Sequence, residues 1–204
     1  MNLLISAVFI FISSIFLNPA NPKPDLVSIP GLYSTGVDDL GNLLPDGAVD
    51  PHYQIISSSD PRYPGPESRV VLSEGFPMDC CWLQNNNRSK WIAPQTDGKD
   101  FNAVGGYIYR VKFDLSAFKS GSAVIAGMWS TDNNGVDILI NGKSTGHATP
   151  IEAFHGMYPF EIRNGFVDGI NTIDFVVYNL NAPTGLRVEV TGRAESKSYV
   201  SNIN

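Results

Sequence analysis

The chain has only two cysteines among its 204 residues, and they are neighbours, Cys80 and Cys81. Adjacent cysteines cannot link distant segments, so a framework of disulfides that staples the fold is excluded. Three alternatives remain open: a vicinal disulfide, a bond to another chain, and a pair of buried free thiols. A vicinal disulfide beside Trp82 would form a small rigid platform next to an aromatic ring. A metal site is not expected here, because no histidine lies near the two sulfurs in sequence.

Histidine is also scarce, and no pattern typical of a catalytic centre stands in the right context. The three histidines, His52, His147 and His155, lack the spacing of a zinc site, and the chain contains no HExxH motif. The letters "GKSTG" at 142–146 fit the nucleophile-elbow pattern. Ser144 follows a predicted hairpin turn, however, whereas that chemistry requires a strand-to-helix turn. A carboxylate pair for glycoside hydrolysis would come from separate strands, and the spacing of the acidic residues does not locate one.

Charged residues make up only 17% of the chain, and the acidic ones exceed the basic ones, which gives a formal net charge of −6. Phosphate-rich surfaces would not be attracted to such a protein, so neither nucleic acid nor anionic lipid is an expected partner. The expected partner is neutral, cationic or a protein.

A long apolar run occurs only at the start of the chain, where "MNLLISAVFIFISSIFL" contains no charged side chain. The run is short for a membrane span and is broken by "NPANPKP", so it predicts a signal peptide over residues 1–20 and a secreted or cell-surface protein. An uncleaved anchor is the alternative, because no basic residue precedes the run and Asn18 occupies the −3 position before the expected cleavage. No other run could span a membrane, so the mature chain is expected to contain no span.

Helical spacing with caps is missing as well, and the clearest patterns have a period of two. Tyr107, Tyr109, Val111 and Phe113 alternate with more polar neighbours, as a half-buried strand requires. These patterns predict an all-β fold, an antiparallel β-sandwich of jelly-roll type, with at most one helical turn near residues 115–119. The predicted strands cover 52–58, 68–73, 106–115, 122–131, 135–140, 158–162, 171–179 and 185–192.

The strongest local prediction is a hairpin in "GVDILINGKSTG". Val136, Ile138 and Ile140 are expected on one face, and Asn141-Gly142 then supplies the two residues that tolerate the positive φ of a type I′ turn.

The chain is predicted to contain one folded domain with two flanking segments. A Pro- and Gly-rich stretch at 21–50 is expected to form an extended arm over the surface of a β-sandwich domain at 51–192. A polar C-terminal tail at 193–204 follows.

The loop "STDNNGVD" is the first candidate site. Asp132, Asn134 and Asp137 place hard oxygen donors close together in sequence, which suits calcium. The loop is not an EF-hand, because Lys143 stands where a bidentate glutamate would be required. Ordinary turn formation, in which Asp and Asn bond their own backbone, is the alternative to calcium binding.

Aromatic residues near polar ones are the second candidate site. Sugars stack their apolar faces on aromatic rings and hydrogen-bond to neighbouring polar groups. Trp82 and Trp91 flank the polar stretch "LQNNNRSK", so an exposed ring is expected there, whereas Trp129 lies in an apolar strand typical of a core. The candidate carbohydrate ligands are Trp82, Trp91, Trp129, Asp132, Asn133 and Tyr158.

The order "GYIYRVKFDL", "MWSTDNNGVDILINGKSTG", "FVDGINTIDFVVYN" and "GLRVEVTG" resembles the galactose-binding-domain-like jelly rolls, which include sugar-binding domains of glycoside hydrolases and single domains of exported bacterial proteins. The resemblance extends over residues 32–192. It implies a jelly-roll sandwich and favours a non-catalytic module. It decides function only weakly, because this fold also hosts peptide binding and structural roles.

The leading hypothesis is a secreted, non-catalytic module that binds a glycan or cell-surface polysaccharide, with calcium as a possible cofactor. The main alternative is a structural or adhesive extracellular subunit that self-associates by adding the strand of its arm to a neighbour. A glycoside hydrolase or lyase is the third alternative, and it lacks an identified carboxylate pair.

Overall fold

The computed structural model describes residues 25–197, which form almost entirely antiparallel β-structure. The predicted all-β class is therefore confirmed. The predicted signal peptide at 1–20, residues 21–24 of the predicted arm and residues 198–204 of the predicted tail lie outside the described residues. The strands are β1 (Leu26–Ser28), β2 (Val49–Ser58), β3 (Glu67–Val70), β4 (Ile92–Ala93), β5 (Gly105–Asp114), β6 (Val124–Asp132), β7 (Asn134–Ile140), β8 (Lys143–Ser144), β9 (Tyr158–Ile162), β10 (Ile170–Asn179) and β11 (Gly185–Glu195).

Helix is confined to two single 3-10 turns in this part of the chain, Ser120–Ser122 and Ala153–His155. The first lies just after the predicted turn at 115–119. None of the helical segments between residues 25 and 197 has the length and apolar character needed to cross a membrane.

The strands form one sheet that curls into two facing layers. Their order is β8-β7-β10-β5-β2-β3-β4-β11-β6-β9, and β1 pairs with the end of β11. The short strands β3 and β4 connect the layers along one edge. Rings from opposite layers meet in the core, where the ring of Phe175 in β10 lies 5.7 Å from that of Trp129 in β6 and 6.0 Å from that of Phe160 in β9 (centroid distances). These contacts define an antiparallel β-sandwich.

The alternating pattern of β5 places its aromatic and branched residues inward, as predicted. Tyr107, Tyr109, Val111 and Phe113 are all buried in the main core. Arg110 points to the other face and forms a bidentate ion pair with Asp174 of β10, with N···O distances of 2.6 and 2.7 Å.

The predicted hairpin is present, with Asn141 at φ 50° and Gly142 at φ 76° joining β7 to β8. Both positive φ values are those that a two-residue turn of this kind needs. The Asn141 side chain also donates to the carbonyl oxygen of Gly165 at 2.9 Å, which ties the turn to the loop before β10.

The predicted facing of β7 was wrong at Val136. Ile138 and Ile140 are buried, but Val136 is 48% exposed. The register between β7 and β10 shifts between Val176 and Val177, and Val136 is left without a paired residue. Such a bulge turns one side chain, here that of Val136, to the solvent face of an otherwise alternating strand.

The N-terminal arm packs on its own domain. Strand β1 pairs with the end of β11, with Leu26 opposite Glu195, and further along the arm Thr35 and Val37 are buried. Self-association through addition of this strand to a neighbour is therefore not supported. The pairing also carries β11 through Glu195, past the domain end predicted at residue 192.

Candidate functional site

Trp82 and Trp91 lie together in a small second core, and the expectation of an exposed ring was wrong. Their ring centroids are 4.3 Å apart, and both side chains are buried with Val71, Met78 and Ala93. Each indole N–H has an acceptor, Asp132 for Trp82 and the carbonyl oxygen of Leu83, at 2.8 Å, for Trp91.

The polar stretch between the two tryptophans turns them inward. Asn85 accepts the backbone N–H of Trp91 at 3.0 Å, and Asn86 accepts the backbone N–H groups of Arg88 and Ser89. The asparagines thus use their side chains to close a turn, which is a common role of this residue type.

Asp132, at the end of β6, is buried against this second core. Its Oδ2 accepts the indole N–H of Trp82 at 2.7 Å, while its Oδ1 has no hydrogen-bond partner within residues 25–197. Burial raises the pKa of Asp132 to about 7; the bond from Trp82 opposes this shift and the charge of Glu152 adds to it. The carboxyl group is therefore partly protonated near neutral pH.

This shift predicts that stability depends on pH through Asp132. Folding raises the pKa from its ordinary 3.8, so between these values the folded state binds the proton more tightly than the unfolded state. The free energy of unfolding should then fall by up to about 4 kcal/mol as the pH rises from about 4 to 7. Asp132→Asn should lack this slope. Urea unfolding of both proteins at several pH values measures it, and parallel pH profiles would contradict the prediction.

The two cysteines form a vicinal disulfide on the outer side of the second core. Cys80 is exposed, and Cys81 is half-buried and packs against the second core. Of the three alternatives that the sequence left open, the structure contains the vicinal bridge beside Trp82.

The other predicted ligand residues, Trp129, Asn133 and Tyr158, are not members of the second core. Trp129 is fully buried in the main core and packs against Gly135, where an added Cβ would come within 2.2 Å of its ring. Asn133 is buried and accepts the backbone N–H of Leu180 at 2.6 Å. Tyr158 is half-buried in β9, opposite Trp129. The predicted ligand set therefore does not form one surface.

The predicted calcium ligands do not converge on one point. Asp132 faces Trp82 at the end of β6, whereas Asp137 in the opposite layer accepts the backbone N–H groups of Ile138 and Gly146. No group of three acidic, histidine or cysteine side chains suited to a metal occurs between residues 25 and 197. Asn134 begins β7, paired with Tyr178 of β10. Asp132 and Asp137 are thus engaged at separate places, whereas a single calcium ion needs at least six oxygens around it. Calcium binding stays an untested prediction.

An open cleft of about 470 Å³ lies instead along the outer side of β3, between the turn at 62–66 and the segment 94–96. Three prolines and the half-buried ring of Tyr63 supply apolar lining. The polar groups along the cleft belong to Arg62, Glu67, Arg69, Gln95 and Thr96.

Arg62 is the best-fixed group in the cleft. Its guanidinium donates to both carboxylate oxygens of Asp60, at 3.1 and 2.8 Å, and to Asp100 at 2.6 Å. It also donates to the carbonyl oxygen of Phe101. These contacts account for four of its five N–H donors, so one has no partner among residues 25–197. The Tyr63 hydroxyl donates to the second oxygen of Asp100.

Gln95, which lines the cleft, forms a reciprocal amide pair with buried Asn102. Gln95 and Asn102 each donate to the other's side-chain oxygen, at 2.8 and 2.9 Å, and Gln95 also donates to the backbone oxygen of Asp100 at 2.8 Å. Glu67 and Arg69, two residues apart on β3, pair on its outer face. The polar groups are thus held in place before any ligand arrives, which lowers the entropic cost of binding.

The charges of the cleft are compensated internally. Hydrogen bonds from Arg62 lower the pKa of Asp60 to about 2. The Tyr63 hydroxyl and then Arg62 lower the pKa of Asp100. Three carboxylates, Asp60, Glu67 and Asp100, face two guanidiniums, so the cleft carries no excess of positive charge for an anionic ligand.

Sequence reasoning missed this cleft. It treated "SDPRYPGPE" only as a turn between strands, although the stretch places an arginine and a tyrosine among prolines. That juxtaposition of a ring and a charge on a stiff turn was the available signal. The partner residues could not be found this way, because Arg62 and Asp100 are 38 positions apart.

No protein-family model matches the chain, and no curated protein matches its sequence significantly. The structure is similar to a CBM35 from Paenibacillus barcinonensis, at 12% identity and a TM-score of 0.36, over 69% of this chain and 92% of that one. It is also similar to the CBM36-1 domain of a multidomain xylanase from the hindgut metagenome of Trinervitermes trinervoides, at 13% identity and a TM-score of 0.33, over 86% and 100% of the two chains.

A third similar structure is an exo-beta-1,3-galactanase from Phanerochaete chrysosporium, at 12% identity and a TM-score of 0.33 over 72% of this chain. The chain spans only 30% of that enzyme. The first two structures are carbohydrate-binding modules, the class that the sequence resemblance named.

Proposed function

We propose that the protein binds a neutral carbohydrate in the cleft beside Tyr63 and Arg62. The observation that carries this proposal is the combination of an open volume of about 470 Å³ with a fixed, charge-compensated polar lining next to a tyrosine ring and prolines. Sugar hydroxyls require hydrogen-bond donors and acceptors in fixed positions, and sugar ring faces require a flat apolar surface.

The ionisation of the two carboxylates that hold Arg62 favours binding without catalysis. A glycoside hydrolase needs one carboxyl group with a raised pKa to donate a proton. The pKa values of Asp60 and Asp100 are both lowered, so both groups are ionised at neutral pH and serve as acceptors for Arg62 and Tyr63. Neither is suited to the role of general acid.

We also propose that the protein acts outside the cell. Disulfides persist in oxidising compartments, and the Cys80–Cys81 bridge is a bond of that kind. The apolar start of the chain, predicted as a signal peptide, would direct the protein to the secretory pathway.

Tyr63→Ala should weaken binding of the recognised polysaccharide about tenfold, because it removes the stacking surface of the cleft. Native gel electrophoresis through hydroxyethylcellulose, xylan and galactomannan, with calcium and again with EDTA, measures retardation of the protein. The matched control is Tyr33→Ala, since Tyr33 stacks on His52 at 3.7 Å in a separate groove. Loss of retardation in Tyr33→Ala alone, or no retardation by any polysaccharide, would contradict the assignment of the cleft.

A further inference from the structure

Phe101 presents an exposed aromatic ring at the margin of the cleft. The side chain is 54% exposed, and its ring centroid lies 6.1 Å from that of half-buried Phe76. A single exposed apolar side chain needs no explanation, but an exposed ring paired with a second ring forms a surface that a ligand can cover.

The loop that carries Phe101 is fixed on both sides. The backbone N–H of Asp100 donates to the carbonyl oxygen of Asp97 at 3.0 Å, and that of Asn102 donates to the carbonyl oxygen of Ala182 at 3.1 Å. Gly98 lies so close to Pro77 that an added Cβ would come within 2.3 Å of its ring. The exposed position of the Phe101 ring is thus set by a well-packed backbone.

The same loop builds the cleft. Asp100 accepts hydrogen bonds from Arg62 and Tyr63, and the carbonyl oxygen of Phe101 accepts one from Arg62. The Arg62 guanidinium carbon lies 5.3 Å from the centroid of the Tyr63 ring. The guanidinium thus contacts both aromatic residues, the ring of Tyr63 in the cleft and the backbone of Phe101 next to it.

We infer that the ligand site continues from the cleft across Arg62 to Phe101, so that the protein recognises several consecutive sugars of a neutral polysaccharide chain. This inference rests on the proposed carbohydrate-binding function. One sugar ring can stack on one aromatic surface, and a ligand that covers both rings has to pass Arg62, which contacts both residues. The remaining N–H donor of Arg62 can then bond a ring or glycosidic oxygen of that ligand.

The test compares sugar chains of two lengths. Cello-, xylo- and manno-oligosaccharides of two and six units are titrated calorimetrically into the purified protein. For the recognised sugar, the six-unit chain should bind at least about tenfold more tightly than the two-unit chain, because only the longer chain reaches Phe101.

Two variants and a control separate this subsite from general effects on the fold. Phe101→Ala should abolish the gain with length and leave binding of the two-unit sugar unchanged, and Phe101→Trp should retain the gain. Ile170→Ala is the control. Ile170 is 62% exposed and pairs with Asp114, the last residue of β5, whereas Phe101 lies just before Gly105, the first residue of β5. The two ends of this extended strand are about 30 Å apart. It should bind both lengths as the unaltered protein does.

The possible failures are distinguishable. Equal affinities for the two lengths, or an unchanged length dependence in Phe101→Ala, overturn the extended site and leave the proposed function standing. No binding of any oligosaccharide at either length overturns the proposed function and the extended site with it.

Discussion

Arg187→Ala is expected to lower the free energy of unfolding by about 3–5 kcal/mol, because it breaks a buried charged network. Arg187 in β11 is only 1% exposed. Its guanidinium donates to Ser89 Oγ at 2.8 Å and to the carbonyl oxygen of Gln84 at 2.6 Å, and it lies 3.5 Å from Glu189. The substitution takes a donor from buried Ser89 and from the partly buried carbonyl oxygen of Gln84, and it also removes the packing of the arginine stem.

A second arginine on the same glutamate provides the control. Arg88 lies 3.3 Å from the other oxygen of Glu189, but its side chain is 73% exposed. Solvent screens such a pair, so Arg88→Ala should cost less than about 1 kcal/mol. Urea unfolding of the two variants and the unaltered protein gives both values. Similar costs for Arg187→Ala and Arg88→Ala would mean that burial of this network does not determine its contribution.

The parts of the fold that sequence predicted correctly are those set by local pattern. The alternation of Tyr107, Tyr109, Val111 and Phe113 predicted both the existence of β5 and its inward face. Asn141 and Gly142 predicted the hairpin because positive φ is a property of those residues themselves. In both cases the information lies within about ten neighbouring residues.

The missed strands depend on partners elsewhere in the chain. Strand β4 has only two residues, Ile92 and Ala93, and exists because Ile92 pairs with Leu186 on one side and Val70 on the other. Strand β1 likewise forms against the end of β11. Neither segment has a periodic pattern of its own, so local propensity could not identify it.

The site predictions failed for a related reason. Trp82 and Trp91 were expected at the surface because polar residues lie between them in sequence, but those residues form a turn that directs both indoles inward. The bond from Trp82 to Asp132 joins residues 50 positions apart. Local sequence predicted both residues as carbohydrate ligands, and only their spatial arrangement shows that they are buried together.

Trp82→Phe is expected to lower the free energy of unfolding by an amount that depends on pH. The substitution keeps most of the aromatic packing against Trp91 and removes the one hydrogen bond that the Asp132 carboxyl group receives from residues 25–197. We expect the free energy of unfolding to fall by about 3 kcal/mol at about pH 8, where a buried carboxylate loses its donor. At about pH 5 the folded protein holds Asp132 protonated, so the cost should shrink to about 1 kcal/mol.

Two comparisons isolate the carboxylate as the cause. Trp91→Phe removes an N–H that donates to the neutral carbonyl oxygen of Leu83, so its cost should be the same at both pH values. In an Asp132→Asn background, Trp82→Phe should also lose its pH dependence, because the asparagine carries no charge at either pH. A pH dependence that persists in that background would place the titrating group elsewhere and remove Asp132 from the explanation.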